Sequence, residues 1–218
     1  MHALFVATAN AHKVGELRSL LGPGFLVLSL RDTNARIDVV ESAESFAGNA
    51  LLKAVAWAAY LGADTCGLGA GWVLADDSGL EVDALDGAPG VLSARFAALD
   101  SGVPGNSPDA ANNAKLLRLL AETPDERRTA RFRCVLALVP VQPGASAADL
   151  AAQARFFEGS CPGRIRREAT GSAGFGYDPL FVPEGHHQSF AELGDDTKNR
   201  LSHRAKAVEA FRRHWARA

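Results

Sequence analysis

His2-Ala3-Leu4-Phe5-Val6-Ala7-Thr8 is followed by Asn10 and then by Val14, Leu17, Leu20 and Leu21 along one helical face. The first run is short and apolar and carries Phe and Val, as a buried strand does. Asn10 stands at the N-cap position, where a side-chain oxygen can satisfy a free backbone N–H. Gly22-Pro23-Gly24 stops the helix, and Phe25 to Leu30 reads as a second strand. Strand, helix and strand in this order predict an α/β protein.

Outward from this unit, Ser45 to Leu61 reads as a second helix, rich in Ala and Leu and closed by Gly62. Its small residues predict close packing against a sheet or another helix. Cys66 to Gly71 holds three glycines and reads as a loop. Trp72 to Ala75 reads as a strand delivering Asp76-Asp77 at its C-terminal end, with Ser78-Gly79 as a turn. Beyond it Leu80, Val82 and Ala84 alternate with Glu81 and Asp83. A helix over 110–120 and a strand over 130–139 follow, then a small-residue-rich surface connection over 142–154 with room for a short helix. The strand over 156–165 is broken by Pro162-Gly163, and Leu201, Ala205, Val208, Phe211 and Trp215 mark one C-terminal amphipathic helix. With no internal repeat and no dividing linker, residues 1–218 are expected to form a single domain, with two lobes sharing a sheet.

The 218 residues are 47% hydrophobic and 22% charged, an ordinary globular composition. With 23 basic and 25 acidic residues the formal net charge is −2, which argues against a nucleic-acid partner. Arg164-Ile165-Arg166-Arg167, the one local basic excess, reads as a solvated strand end. Cys66, Cys134 and Cys161 are odd in number and form no C-x-x-C pair, so no disulfide framework or thiolate metal site is predicted. Cys134, in an apolar run, reads as a small core residue. Ala3 to Ala9 is too short for a signal or membrane segment, so no membrane partner and a cytoplasmic location are expected.

There is no G-x-x-x-x-G-K-[ST], no G-x-S-x-G and no zinc-like His/Cys spacing, which removes the P-loop, α/β-hydrolase and zinc-deaminase readings. Four segments remain. Thr8-Ala9-Asn10-Ala11-His12-Lys13 lies at a strand-to-helix junction, where free N–H groups and the positive end of the helix dipole suit a phosphate. Alone it reads first as an ordinary N-cap with a solvated lysine. Asp76 and Asp77 are costly to bring together at the end of an apolar strand unless a cation sits there, and Mg²⁺ suits such oxygens. The alternative is an acidic turn in water. In Gly171-Ser172-Ala173-Gly174-Phe175-Gly176-Tyr177-Asp178-Pro179, three glycines allow close backbone approach, and Phe175 and Tyr177 offer rings for stacking on a base. By itself this reads first as a flexible turn. Asp195 to Arg204 reads as a polar start of the last helix with an acidic first turn.

Taken together and in order, these segments resemble the inosine/xanthosine triphosphate pyrophosphatase family. The match runs through T-x-N-x-x-K at 8–13, Phe46 to Ala54 with Asn49 and Lys53, and D-D-S-G-L at 76–80. It continues through Gly87-Ala88-Pro89-Gly90 with Ser93-Ala94-Arg95, G-F-G-Y-D-P at 174–179 and K-x-x-x-S-H-R at 198–204, covering nearly the whole chain.

The resemblance implies a mixed central sheet with flanking helices, two lobes around a nucleotide-binding cleft, and a homodimer. It implies hydrolysis of non-standard purine nucleoside triphosphates (ITP, dITP, XTP) to the monophosphate and pyrophosphate, with water attacking the α-phosphorus and Mg²⁺ as cofactor. Thr8, Ala9, Asn10, Ala11, His12, Lys13 and Lys53 would hold the triphosphate, with Lys198 near the nucleotide. Glu41 and Asp77 would serve the metal, Asp77 would accept the water's proton, and Ser78 would sit on the ligand. Phe175, Gly176, Tyr177 and Asp178 would embrace the base, and His203 and Arg204 would face its polar edge. Gly48 departs from the pattern, standing where the family often has Glu, and the Gly-rich stretch at 67–71 looks longer than usual. A nucleotide phosphatase releasing orthophosphate and a nucleotide-binding regulator without turnover are the rival readings.

Overall fold

A computed structural model of the chain describes residues 2–33, 37–63, 71–102 and 104–217. Its elements in order are β1 (His2–Val6), α1 (Ala11–Leu21), β2 (Phe25–Ser29), α2 (Phe46–Ala63), β3 (Trp72–Val82), α3 (Ala98–Ser101), α4 (Asp109–Leu119), β4 (Thr129–Pro140), α5 (Ala147–Ala152), β5 (Arg155–Ile165), β6 (Phe181–Pro183), α6 (Phe190–Leu201) and α7 (His203–Trp215). The strands form one six-stranded sheet in the order β2-β1-β3-β4-β5-β6. β1 pairs parallel with β2 and β3, and β5 pairs antiparallel with β6, so the sheet is mixed. No helix among the described residues is long and apolar enough to cross a membrane.

The chain divides into two compact units. The first comprises Met1–Asp77, Cys134–Glu158 and Ala207–Ala218; the second comprises Ser78–Arg133 and Gly159–Lys206. In the first, β1 is buried on both faces, and its alternation sends residues to separate clusters. Leu4 and Val6 pack with Val14, Leu17 and Leu21 of α1 and with Phe211 of α7. Phe5 packs with Ala50, Ala54, Trp57 and Ala58 of α2. Ala50, Ala54 and Ala58 recur every four residues and are fully buried, so α2 lies close against the sheet as its composition predicts.

In the second unit, Leu80, Val82, Leu116, Phe132, Phe181 and Phe190 form the core. Three expectations change here. Ser78-Gly79 is not a turn: β3 runs unbroken through Val82. The strand is buried almost throughout, and the bond from the Leu80 N–H to Ser93 Oγ (2.9 Å) ties it down just past Ser78-Gly79. Pro162-Gly163 does not break β5 either. The Pro162 carbonyl accepts from the Glu184 N–H at 3.0 Å, and a Cβ at Gly163 would lie 2.6 Å from the Phe181 ring. Finally, the C-terminal stripe is two helices. Ser202 is extended (ψ 159°) and its Oγ accepts from the Ala205 N–H at 3.1 Å, ending α6 and capping α7.

The start of α6 is held by a capping box, and Gly194 (φ 75°, ψ 174°) kinks the helix before Lys198. The Ser189 N–H donates to Glu192 Oε2 at 2.8 Å, and Thr170 Oγ1 and Arg166 Nη1 donate to the same oxygen at 2.8 and 2.7 Å. These donors, the Ser189 backbone N–H first and Thr170 next, lower the Glu192 carboxyl from an ordinary 4.5 to about 2. A carboxyl depressed on folding contributes stability above its unfolded value and loses it as pH falls toward the folded one. Urea midpoints of the wild type should therefore fall between pH 4.5 and about 2, and Glu192→Gln should flatten that part of the curve. Equal acid loss in both proteins would refute this account.

Candidate active site

Asn10 organises the start of α1. Its Oδ1 accepts from the backbone N–H groups of His12 (2.9 Å) and Lys13 (3.2 Å), and its own N–H donates to Thr8 Oγ1 at 3.2 Å. Two amides expected to be free for a phosphate are thus taken by the cap. The positive end of the dipole and the Lys13 ammonium remain.

Lys13 Nζ lies 2.5 Å from Asp76 Oδ1. Lys53, on α2, donates to Asp77 Oδ1 at 2.7 Å and to Glu41 Oε1 at 3.1 Å. Two lysines therefore face three carboxylates in surroundings largely closed to water. Burial, with a smaller part from Glu41, pushes the Asp77 carboxyl above its ordinary value against the charges of Lys53 and Lys13, which lower it. Burial opposes the Lys53 charge too, but Asp77 and Glu41 outweigh it and hold the ammonium above its ordinary value. The first direction expresses burial, and the second the carboxylates gathered around Lys53.

Asp77 Oδ2 is buried and has no hydrogen-bond donor among the described residues. Leaving such an acceptor open costs about 1–3 kcal/mol, more for a charge. A hard divalent cation fits that oxygen, with Glu41 tied to the same lysine. No group of three or more His, Cys, Asp or Glu side chains among the described residues forms a metal cage. The two carboxylates on Lys53, Asp77 and Glu41, are a donor set that suits Mg²⁺, which is typically held by one or two carboxylates with water and phosphate filling the rest.

Glu41 is placed by residues whose part the sequence did not disclose. Asn49, fully buried in α2, accepts from the Ala43 N–H at 2.9 Å, and the Gly48 N–H donates to Ser45 Oγ at 3.1 Å. A Cβ at Gly48 would lie 2.5 Å from the Ala43 Cβ and 3.1 Å from Ser45 Oγ. Any larger residue there, Glu included, would displace the segment leading to Glu41. Gly48 also falls in the first turn of α2, outside the helix interior, so the interior cost of about 1 kcal/mol does not apply in full. Of the Gly-rich stretch, residues 67–70 lie outside the described residues.

The second unit assembles another group. Asp178 is buried; its Oδ2 accepts from Lys198 Nζ at 2.6 Å and from the Phe175 N–H at 2.9 Å. Lys198 Nζ also stands 4.4 Å from the centre of the half-buried Phe175 ring. Tyr177 differs from expectation. Its ring lies in the core, its hydroxyl donates to the Ser93 carbonyl at 2.9 Å, and burial raises that hydroxyl's pKa. It is not placed to stack on a base. Gly176 is clamped from α4: its N–H donates to Asp109 Oδ2 (2.6 Å) and its carbonyl accepts from Asn113 Nδ2 (3.0 Å). Nothing in the composition of α4 marks those two residues. Arg204 is buried and donates to Ser78 Oγ at 2.9 Å, and the His203 ring stacks on Phe132 at 4.9 Å and 15°.

Comparison with known proteins bears on the family and the fold. The chain matches the sequence model of the Ham1 family over residues 4–214. It is 48% identical over 207 residues to the dITP/XTP pyrophosphatase of Desulforamulus reducens, covering 94% of this chain and 92% of that protein. The dITP/XTP pyrophosphatase of Opitutus terrae is 45% identical over 211 residues, 94% of each. A crystal structure of the nucleoside-triphosphatase / dITP/XTP pyrophosphatase from Mycobacterium abscessus superposes with a TM-score of 0.70 at 40% identity, covering 96% of this chain and 98% of that one. A HAM1 protein from Coxiella burnetii gives 0.80 at 32% identity over the whole of both chains. The chain belongs to the Ham1 family.

Tyr177→Phe tests the core role of that side chain. It strands the Ser93 carbonyl and should lower the unfolding free energy in urea by about 1–3 kcal/mol, with the nucleotide KM unchanged. A raised KM at unchanged stability would return the ring to the base.

Proposed function

We propose that this chain hydrolyses non-standard purine nucleoside triphosphates, those of inosine, deoxyinosine and xanthosine, to the monophosphate and pyrophosphate. The relatives named for that activity support the reading, and the single observation that carries it is the buried Asp77 carboxylate. One of its oxygens is fixed by Lys53 and the other is open. Asp77 accepts the proton of the attacking water, and its raised proton affinity favours that step. The Lys53 bond stops the carboxylate from rotating.

Asp77 and Glu41 are the proposed holders of Mg²⁺. When bound, the ion supplies charge neutralisation on the phosphates and lowers the pKa of a water. Lys13, Lys53 and the positive end of α1 meet the charge growing on the pyrophosphate, with Thr8, Ala9, Asn10, Ala11 and His12 lining that end. Ser78 touches the ligand next to Asp77. Phe175 offers its ring to the base, Gly176 and Tyr177 their backbone, and Asp178 holds Lys198 in place. His203 and Arg204 face the keto edge.

Incubation with inosine triphosphate and Mg²⁺ should release monophosphate and pyrophosphate in equal amounts. Orthophosphate as the first product, with diphosphate accumulating, would mean a phosphatase instead. Asp77→Asn should stay folded and lose about 10²–10⁴ in kcat; a folded variant keeping more than a tenth of the wild-type rate would remove Asp77 from this role.

Base choice follows from donors and acceptors. Hypoxanthine and xanthine carry a keto oxygen at position 6, which accepts a hydrogen bond from a donor such as Arg204, whereas the adenine amino group sets donor against donor. A site built to bond a substrate group can reject the mismatched analogue by up to ~10⁴–10⁵. Arg204→Ala should therefore narrow the gap in kcat/KM between the inosine and adenosine triphosphates. Equal losses on both would assign Arg204 to the phosphates or the fold.

A further inference from the structure

Asp76, beside the proposed base, is given no part in that chemistry, yet it is fully buried and both of its oxygens are occupied. Oδ1 accepts from Lys13 Nζ at 2.5 Å, and Oδ2 accepts from Cys134 Sγ at 3.2 Å. Cys134 is 1% exposed, in β4, among Leu4, Val6, Leu74 and Leu136. A thiol is a weak donor, but a charged acceptor in surroundings of low dielectric strengthens the bond. It is also apolar enough to lie in that cluster, where a larger polar group would have to find further partners.

We propose that Cys134 and Asp76 are a positioning pair for the phosphate end of the site: the thiol holds the carboxylate, and the carboxylate holds Lys13. Without the thiol, Asp76 can turn about its Cβ–Cγ bond and Lys13 loses its fixed address. The proposal rests on the pyrophosphatase reading for what Lys13 meets, and its test uses inorganic pyrophosphate, whose binding needs no turnover.

The measurement is the affinity of the full chain for pyrophosphate with Mg²⁺, by calorimetry, alongside thermal melting. Cys134→Val keeps the apolar bulk and deletes the donor; Cys134→Ser keeps a donor and suits the apolar cluster less well. The valine variant should bind about tenfold more weakly, in line with loss of a bond to a charged group, and melt no lower than the serine variant. The serine variant should stay within about threefold of wild type. In an Asp76→Asn background the valine change should add nothing. Valine matching wild type, serine and valine weakening alike, or additive losses in the double variant would overturn the pair, as would a wild type that does not bind pyrophosphate. A wild type that binds pyrophosphate but releases none from a nucleoside triphosphate would end the functional reading while these comparisons still decide the pair.

Discussion

Two carboxylates in the middle of a buried strand, each set against a lysine, are the constraint on which the first unit depends. The effective cost of burying one ion is about several kcal/mol unless a counter-charge and hydrogen bonds are supplied. Here the counter-charges come from two other elements, Lys13 of α1 and Lys53 of α2. Each helix must therefore be held in register as well as packed. Asn10 sets where α1 begins and so where Lys13 falls. The alanine row of α2 lets that helix approach close enough for Lys53 to reach Asp77 and Glu41 together. Apolar packing and electrostatics solve one problem here, because a shift that relaxed either helix would strip a buried charge of its partner.

The second unit uses the same device around Asp178 and Lys198, whose side chains are each 3% exposed and 2.6 Å apart. Asp178 binds the backbone ahead of it as well, and a Cβ on Gly174 would collide with its Oδ2 at a φ of 77° that disfavours any side chain. Gly174 is thus fitted to a buried ion pair, while Gly171 lies against the Ala191 backbone. That is a tighter specification than the flexible turn that the composition alone allows.

What was legible in the sequence followed from local rules. The opening strand and helix announced themselves through apolar runs and a cap, and the closeness of α2 through its alanines. The residues gathered around Asp77 and around Asp178 were all named in advance, but from the resemblance, since neither spacing nor composition pairs Lys53 with Asp77. What was not legible depended on distant partners. Ser78-Gly79 carries a turn signal that neighbouring strands override, and Ser202 ends a helix inside what reads as one apolar stripe, because Leu201 and Val208 belong to different clusters. Tyr177 looked like a stacking ring because its hydroxyl's partner, the Ser93 carbonyl, is 84 positions away.

The pairing of Asp76 with Asp77 was also misleading, for a reason the strand itself supplies. Adjacency suggested two carboxylates converging on one cation, but successive residues of a strand point to opposite faces. Leu74 packs with α1 and α7, while Val73 and Ala75 pack with α2. Asp76 therefore follows Leu74 toward Lys13 and Cys134, and Asp77 follows Ala75 toward Lys53 and Glu41. The two groups are chemically identical and neighbours in the chain, yet one is saturated by donors and the other keeps an oxygen open. A slip of one residue in the register of β3 would exchange them. The parallel pairing that sets Phe5 against Val73 and Val6 against Leu74 is thus what decides which aspartate can do chemistry.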